Sequence, residues 1–221
     1  MAYRWNFGPV LDNAEVLAAG AVGTLRLFAI CAVAGLALGL AVGLMRSQQR
    51  RWLLWPATAF VEFFRNTPVL VQILWFYFAL PILLPFEISP LAAAALGISL
   101  NSGAFTAELV RGGIASIERG QWEGARALGM TAAQAMRRVV LPQALRRMLP
   151  ALTNRGIEIF KMSTLASAVA YVELLQQGKL LASLHFNPIE TYTVIAVVFF
   201  LCLLPLVQLT YALERRLQRA D

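Results

Sequence analysis

Charge is scarce in this sequence. Asp, Glu, Lys and Arg make up 14% of its 221 residues, where an ordinary soluble domain carries about 25%. That shortage argues against a freely dissolved globule. Histidine occurs once, at His185, which alone builds neither a zinc site nor a His-based triad. The two cysteines, Cys31 and Cys202, lie inside apolar runs, so no disulfide framework or metal site is implied. The two lysines, Lys161 and Lys179, stand outside any Gly-x-x-x-x-Gly-Lys-[Ser/Thr] pattern, and the chain has no phosphate loop of that kind. The opening "MAYRWNFGPVLDNAEVL" lacks a short apolar core beside its first charges, so no cleavable signal peptide is expected.

Apolar residues are abundant, at 59%, and they fall in runs long enough to cross a bilayer. The net charge of +7 would suit nucleic acid, but the arginines flank apolar runs and instead mark a cytoplasmic membrane surface. Crossings are expected at residues 25–45, 52–84, 88–110, 145–175 and 191–213. The result is an all-α membrane protein of five transmembrane helices, with its N-terminus periplasmic and its C-terminus cytoplasmic. It forms one domain over residues 1–221, with a cytoplasmic loop at 111–147. Arg46, Arg50 and Arg51, the series from Arg111 to Arg147, and the final "ERRLQRAD" all fall inside. Only Arg4 and Lys179 are expected outside.

Local features sharpen this outline. Gly35, Gly39 and Gly43 recur every fourth residue and predict a face that another helix can approach closely. Glu62 and Arg65 are placed to pair at i, i+3. Pro68 predicts a kink or break at Thr67. The segment 145–175 carries Arg155, Glu158 and Lys161, which must face a bundle interior or an aqueous cavity if it crosses.

The stretch "QWEGARALGMTAAQAMRRVVLP" at residues 121–142 is basic and rich in alanine. Gly120 and Gly129 bracket a short predicted helix over 121–128. Trp122, Ala125 and Leu128 give it a narrow apolar ridge, and small Gly124 and Ala125 permit close approach by a partner. The pattern alone leaves open a docking element or a solvated connector lying on lipid headgroups.

This stretch resembles the EAA loop of ABC importer permeases: Glu-Ala-Ala, three residues, Gly, nine residues, Ile, one residue, Leu-Pro. Here Glu123-Gly124-Ala125, Gly129, Val139 and Leu141-Pro142 stand at that spacing, with Gly124 replacing Ala and Val139 replacing Ile. "VEFFRNTPVLVQILWFYFALP", "AFTAELVRGGIASIERGQ" and "KMSTLASAVAYVELL" are similar to the permeases of polar amino-acid importers of the histidine, glutamate and arginine type. In the last, the usual Lys-x-Thr-Ser-Leu appears as Lys161-Met162-Ser163-Thr164-Leu165, with its hydroxyls exchanged. The resemblance spans roughly residues 20–213. It implies a type I ABC importer permease in a bacterial inner membrane, paired with a second copy or a related permease. It also implies two cytoplasmic ATPase subunits and a periplasmic amino-acid-binding protein. No cofactor belongs to this chain; ATP and Mg are bound by the partner ATPase. Glu123, Gly124, Ala125, Leu128 and Gly129 would seat in the ATPase and couple its closure to the spans.

For the substrate pathway, polar residues at membrane depth are the candidates: Asn101, Ser102, Glu158, Lys161, Ser163 and Thr164. Asn101 can donate and accept, suiting the carboxylate and ammonium common to amino acids. Glu158 suits an ammonium, and Arg155 and Lys161 suit a carboxylate. The same three charges at i−3, i and i+3 equally describe a structural ion cluster. Ser163-Thr164 are placed to mark a helix break beside a cavity. Alternatives of other classes are an ion-coupled secondary transporter, with Glu158 as its titrating group, and a membrane scaffold. The first leaves the pattern from Glu123 to Pro142 unexplained, and the second would use the cytoplasmic loop to recruit an unrelated partner.

Overall fold

The computed structural model describes residues 3–48 and 50–218, with side chains through Arg215; part of the expected basic C-terminal stretch therefore lies outside the described residues. The described chain is helical throughout. A short α1 (Gly8–Asp12) precedes α2 (Ala14–Arg46), whose 33 residues reach about 50 Å, well over the ~30 Å hydrocarbon core. With no proline inside it, α2 runs unbroken. Its buried residues, from Leu17 through Leu27, Gly35 and Gly39 to Gly43, repeat every three or four positions and form one stripe.

That stripe lies on α6 (Pro90–Ala115), which Pro90 opens in the first turn and Ser89 caps, its hydroxyl accepting from the Ala92 N–H at 3.2 Å. The expected glycine face is the seam. A methyl group at Gly35 would stand 2.9 Å from Ser102 Cβ, and one at Gly43 would stand 2.6 Å from Val110 Cβ. At Gly39 it would fall inside Thr106. Steps of four on both helices keep the backbones in contact over three turns, which supplies the dispersion contact that holds helices together in lipid.

The break at Pro68 is present. α3 (Arg51–Asn66) ends before an extended Thr67, and the chain turns by 103° into α4 (Val69–Leu74) and α5 (Leu80–Leu83), with a π turn at Trp75–Ala79 between them. A break strands the carbonyls of the preceding turn, and each needs a donor. Gln72 Nε2 donates to the carbonyls of Phe64 (3.0 Å) and Thr67 (2.9 Å), and Asn101 Nδ2 donates to Phe64 (2.7 Å). The expected Glu62–Arg65 pair does not form. Glu62 is exposed and accepts from Asn66, while Arg65 points across to Glu108 on α6 at 3.7 Å.

After α6 come α7 (Arg119–Ala127), α8 (Ala132–Ala135) and a π turn at Met136–Val140 that feeds α9 (Leu141–Met162). A 3-10 run, Ser163–Val169, continues from α9 and stops at Ala170, whose φ of 55° is left-handed; the predicted break at Ser163 is there. The chain then folds onto α2, where Tyr171 OH donates to the Gly23 carbonyl and the Leu174 N–H to Thr24 Oγ1, each at 3.1 Å. Glu173 caps α10 (Leu174–His185) by accepting from the N–H groups of Leu175 and Gln176. α11 (Pro188–Gln218) closes the fold. Its Glu190 is clasped by the N-terminal segment, accepting from Tyr3 OH and the Asn6 N–H, both at 2.8 Å. That bond raises the Tyr3 phenol above its ordinary range.

Apolarity alone does not support five crossings. Three helices, α2, α6 and α11, are long and apolar enough to span a bilayer, and the bent α3–α5 pair makes a fourth if counted as one span. α9 fails that test because Arg146, Arg147, Arg155, Glu158 and Lys161 interrupt it.

Candidate functional site

The loop between α6 and α9 is anchored from within. Val110, Ile114 and Ile117 pack with Val140, Ala144 and Met148, and Trp122 and Met136 close over them. Gln143 Nε2 donates to Gln121 Oε1 at 3.0 Å, and Arg147 Nη1 donates to the Ser116 carbonyl at 2.5 Å. Thr131 and Gln134 form a reciprocal capping box that starts α8. Gly129 takes a φ of 74°, a left-handed position that ends α7 and suits glycine.

This anchoring divides the expected ridge. Trp122 packs partly on the chain's own cluster and stays partly exposed, while Ala125 is buried. Leu128 remains 78% exposed, and Glu123, Gly124 and Gly129 are exposed beside it. A methyl group at Gly124 would meet nothing within 4 Å. The helix is therefore fixed on one side and bare on the other.

A polar column occupies one face of α6, on which Asn101, Phe105, Glu108 and Arg111 follow at intervals of three or four. At its deeper end sits Arg155 of α9, 6% exposed. Its Nη2 donates to Asn101 Oδ1 at 3.1 Å, its Nε to Ser102 Oγ at 3.4 Å and its Nη1 to Glu158 Oε2 at 2.5 Å, while the guanidinium lies 4.5 Å from the Phe105 ring centroid. A buried guanidinium demands such company, because an unpaired charge at this depth is costly. Asn101 is consequently engaged at both ends of its amide, and Ser102 is buried against Gly35 and Arg155. In this conformation both bond protein.

The outer members of the expected pathway set are open. Glu158 is 48% exposed even with its bond to Arg155. Lys161 is exposed, and among the described residues it has no carboxylate within ion-pair distance. Thr164 is partly exposed and donates to the Lys161 carbonyl at 2.8 Å, whereas Ser163 is buried and donates to the Phe160 carbonyl at 2.7 Å. Of the ion cluster expected on α9, the Arg155–Glu158 pair forms and Lys161 stands apart.

The sequence reading missed the other end of the column. Glu108 receives Arg46 from α2, Arg65 from α3 and Arg111 from its own helix. The i, i+3 spacing of Glu108 and Arg111 was the one visible signal. Arg46 lies 62 residues away in the chain, and nothing local marks it as a partner.

Comparison with known proteins places this geometry. The glutamine transport system permease protein GlnP of Escherichia coli (strain K12) is 38% identical over 191 residues, 84% of this chain and 87% of that one. A probable amino-acid ABC transporter permease, YckA of Bacillus subtilis (strain 168), is 35% identical over 90% of this chain and 87% of its own length. The arginine transport system permease ArtQ of the same organism is 30% identical over 98% and 99%. Among solved structures, a crystal structure of an amino acid ABC transporter with histidines superposes with a TM-score of 0.90 at 32% identity, covering 97% of this chain and all of that one. The inward-facing MetNI methionine ABC transporter superposes at 0.76 with 25% identity. Two such importer structures over nearly the whole length establish the type I ABC importer permease fold. The family profile matches residues 35–219, and the chain belongs to the binding-protein-dependent transport system inner membrane components.

Proposed function

We propose that this chain is the membrane-spanning half of an ATP-driven importer that carries a polar amino acid from periplasm to cytoplasm. The observation that carries the reading is α7, pinned on one side and presenting Glu123, Gly124, Leu128 and Gly129 on the other. A rigid helix with a bare face suits a cleft in a partner, and its attachment to α6 and α9 through the Val110–Met148 cluster passes any movement of the cleft into the spans. Two cytoplasmic ATPase subunits would supply that movement and bind ATP and Mg; a second permease copy or relative completes the pathway; a periplasmic binding protein delivers the substrate.

Five crossings follow when α9 and its 3-10 extension are counted with α2, the bent α3–α5 pair, α6 and α11. Arginine supports the orientation, with Arg46, Arg50 and Arg51 after α2 and the series from Arg111 to Arg147 after α6 assigned to the cytoplasm. In the pathway, Glu158, Lys161 and Thr164 are the groups free to meet a zwitterion. Asn101, Ser102 and Ser163 serve behind them, the first two by holding Arg155 in place against Glu158. The relatives are named for glutamine and arginine, and the polar amino-acid class covers both.

The test is purification of the tagged chain in mild detergent together with whatever accompanies it. A stoichiometric ATPase whose substrate-stimulated hydrolysis disappears in Gly129→Asp and Glu123→Arg is the expected result. Recovery of the chain without an ATPase, even after gentle crosslinking, would overturn the assignment.

A further inference from the structure

The Glu108 cluster is out of balance. Three guanidiniums, from α2, α3 and α6, surround a single carboxylate, so among the described residues two positive charges have no counter-charge. Arg46 is nine-tenths buried, with 10% of its side chain exposed, and among the described residues its Nε has no hydrogen-bond partner; the Nε of Arg65 is likewise buried and without a partner among them. Arg65 is held partly by the face of Phe105, 5.1 Å from the ring centroid, a weak substitute for an anion. Arg111 is the open side of the cluster, 43% exposed. Arg50 and Arg51, both exposed, begin the helix that carries Arg65 and add positive potential with no acid beside them in sequence.

We infer that this cluster is a binding site for the phosphate of an anionic phospholipid in the inner leaflet. Three features favour that anion. The positive groups converge between transmembrane helices, at the ends of α2 and α6 that carry the basic loops, which is where headgroup phosphates lie and where interhelical basic pockets take anionic lipids. Guanidinium forks match phosphate oxygens and keep their charge at any working pH. The helix that carries Arg65 also exposes Trp52, Trp55 and Phe63, each more than 60%, which offer acyl chains an apolar surface. Glu108 has a definite part in this arrangement. It gathers the three arginines and also lowers the affinity of the site, so that a bound lipid can exchange.

The inference rests on the orientation given above, in which these helix ends are cytoplasmic, and the experiment separates the two. The full chain, purified with its partners and stripped of lipid, is titrated with phosphatidylglycerol and with phosphatidylcholine, and occupancy is read by native mass spectrometry. Phosphatidylglycerol should bind at least about fivefold tighter. Arg111→Gln and Arg65→Gln should each weaken it by about fivefold, the effect of one basic residue at an anionic surface. Glu108→Gln should tighten it by a similar factor. Were Glu108 only a structural tie, that substitution would loosen binding together with the arginine variants, and the inference would fail. Equal binding of the two lipids by the wild-type chain would also overturn it. So would loss of phosphatidylglycerol to millimolar inorganic phosphate, which would mark a free-anion site, or binding only when the ATPase is absent, which would assign the arginines to acidic groups of that subunit. Labelling of a Ser47→Cys variant solely from the periplasmic side would instead overturn the orientation, whatever the lipid result.

Discussion

Along the seam between α2 and α6, a methyl group added at Gly39 would fall inside Thr106, while around α7 the same addition at Gly120, Gly124 or Gly129 would meet nothing within 4 Å. Both regions are glycine-rich, for opposite reasons. In the seam the missing side chain is already filled by a neighbouring helix of the same chain, and the vacancy is part of the fold. In the loop the space is still open, Leu128 stands in it, and only Gly129 is required by backbone conformation. The seam is complete within this chain. The loop keeps an open face within this chain, the face that the proposed docking would cover.

Gly39→Val should break the seam outright. Overpacking a close helix contact costs about 3 kcal/mol, and the expected outcome is loss of folded chain on extraction into mild detergent, seen as a collapsed size-exclusion peak. Glu123→Arg should do the reverse, leaving the peak and melting temperature of the isolated chain unchanged and reducing substrate-stimulated ATP hydrolysis of the complex by about tenfold or more, as charge reversal in a docked surface does. A melting temperature that fell with the activity would return Glu123 to the fold.

Asn101→Leu tests the join between the seam and the broken helix. It removes a donor from the Phe64 carbonyl and an acceptor from Arg155, and should lower thermal stability by about 2 kcal/mol. A change in substrate affinity at unchanged stability would show that Asn101 faces the cargo in some other state. Gly124→Ala is the mildest change. With open space at the position it should raise helix stability by up to about 1 kcal/mol, so any drop in coupled hydrolysis would report a partner packed against that glycine.

Much of this molecule could be read in one dimension. Scarcity of charge and the length of the apolar runs determined a helical membrane protein, because the bilayer demands internally bonded spans. Gly35, Gly39 and Gly43 announced a seam since helical period is local, and Pro68 announced a break since proline removes a donor wherever it stands. The resemblance of Glu123–Pro142 to a known loop pattern pointed to the family. What only the tertiary structure decided is which polar groups satisfy one another. Arg65 looked made for Glu62 and instead joins Glu108; Asn101 looked free for a substrate and instead holds the Phe64 carbonyl and Arg155; Trp122 and Ala125 looked like a docking ridge and pack on their own chain. Helical periodicity fixes the face on which a side chain lies. Its partner is set by which helices the folded chain brings alongside, and at low dielectric the nearest donor or acceptor takes precedence over the one nearest in sequence.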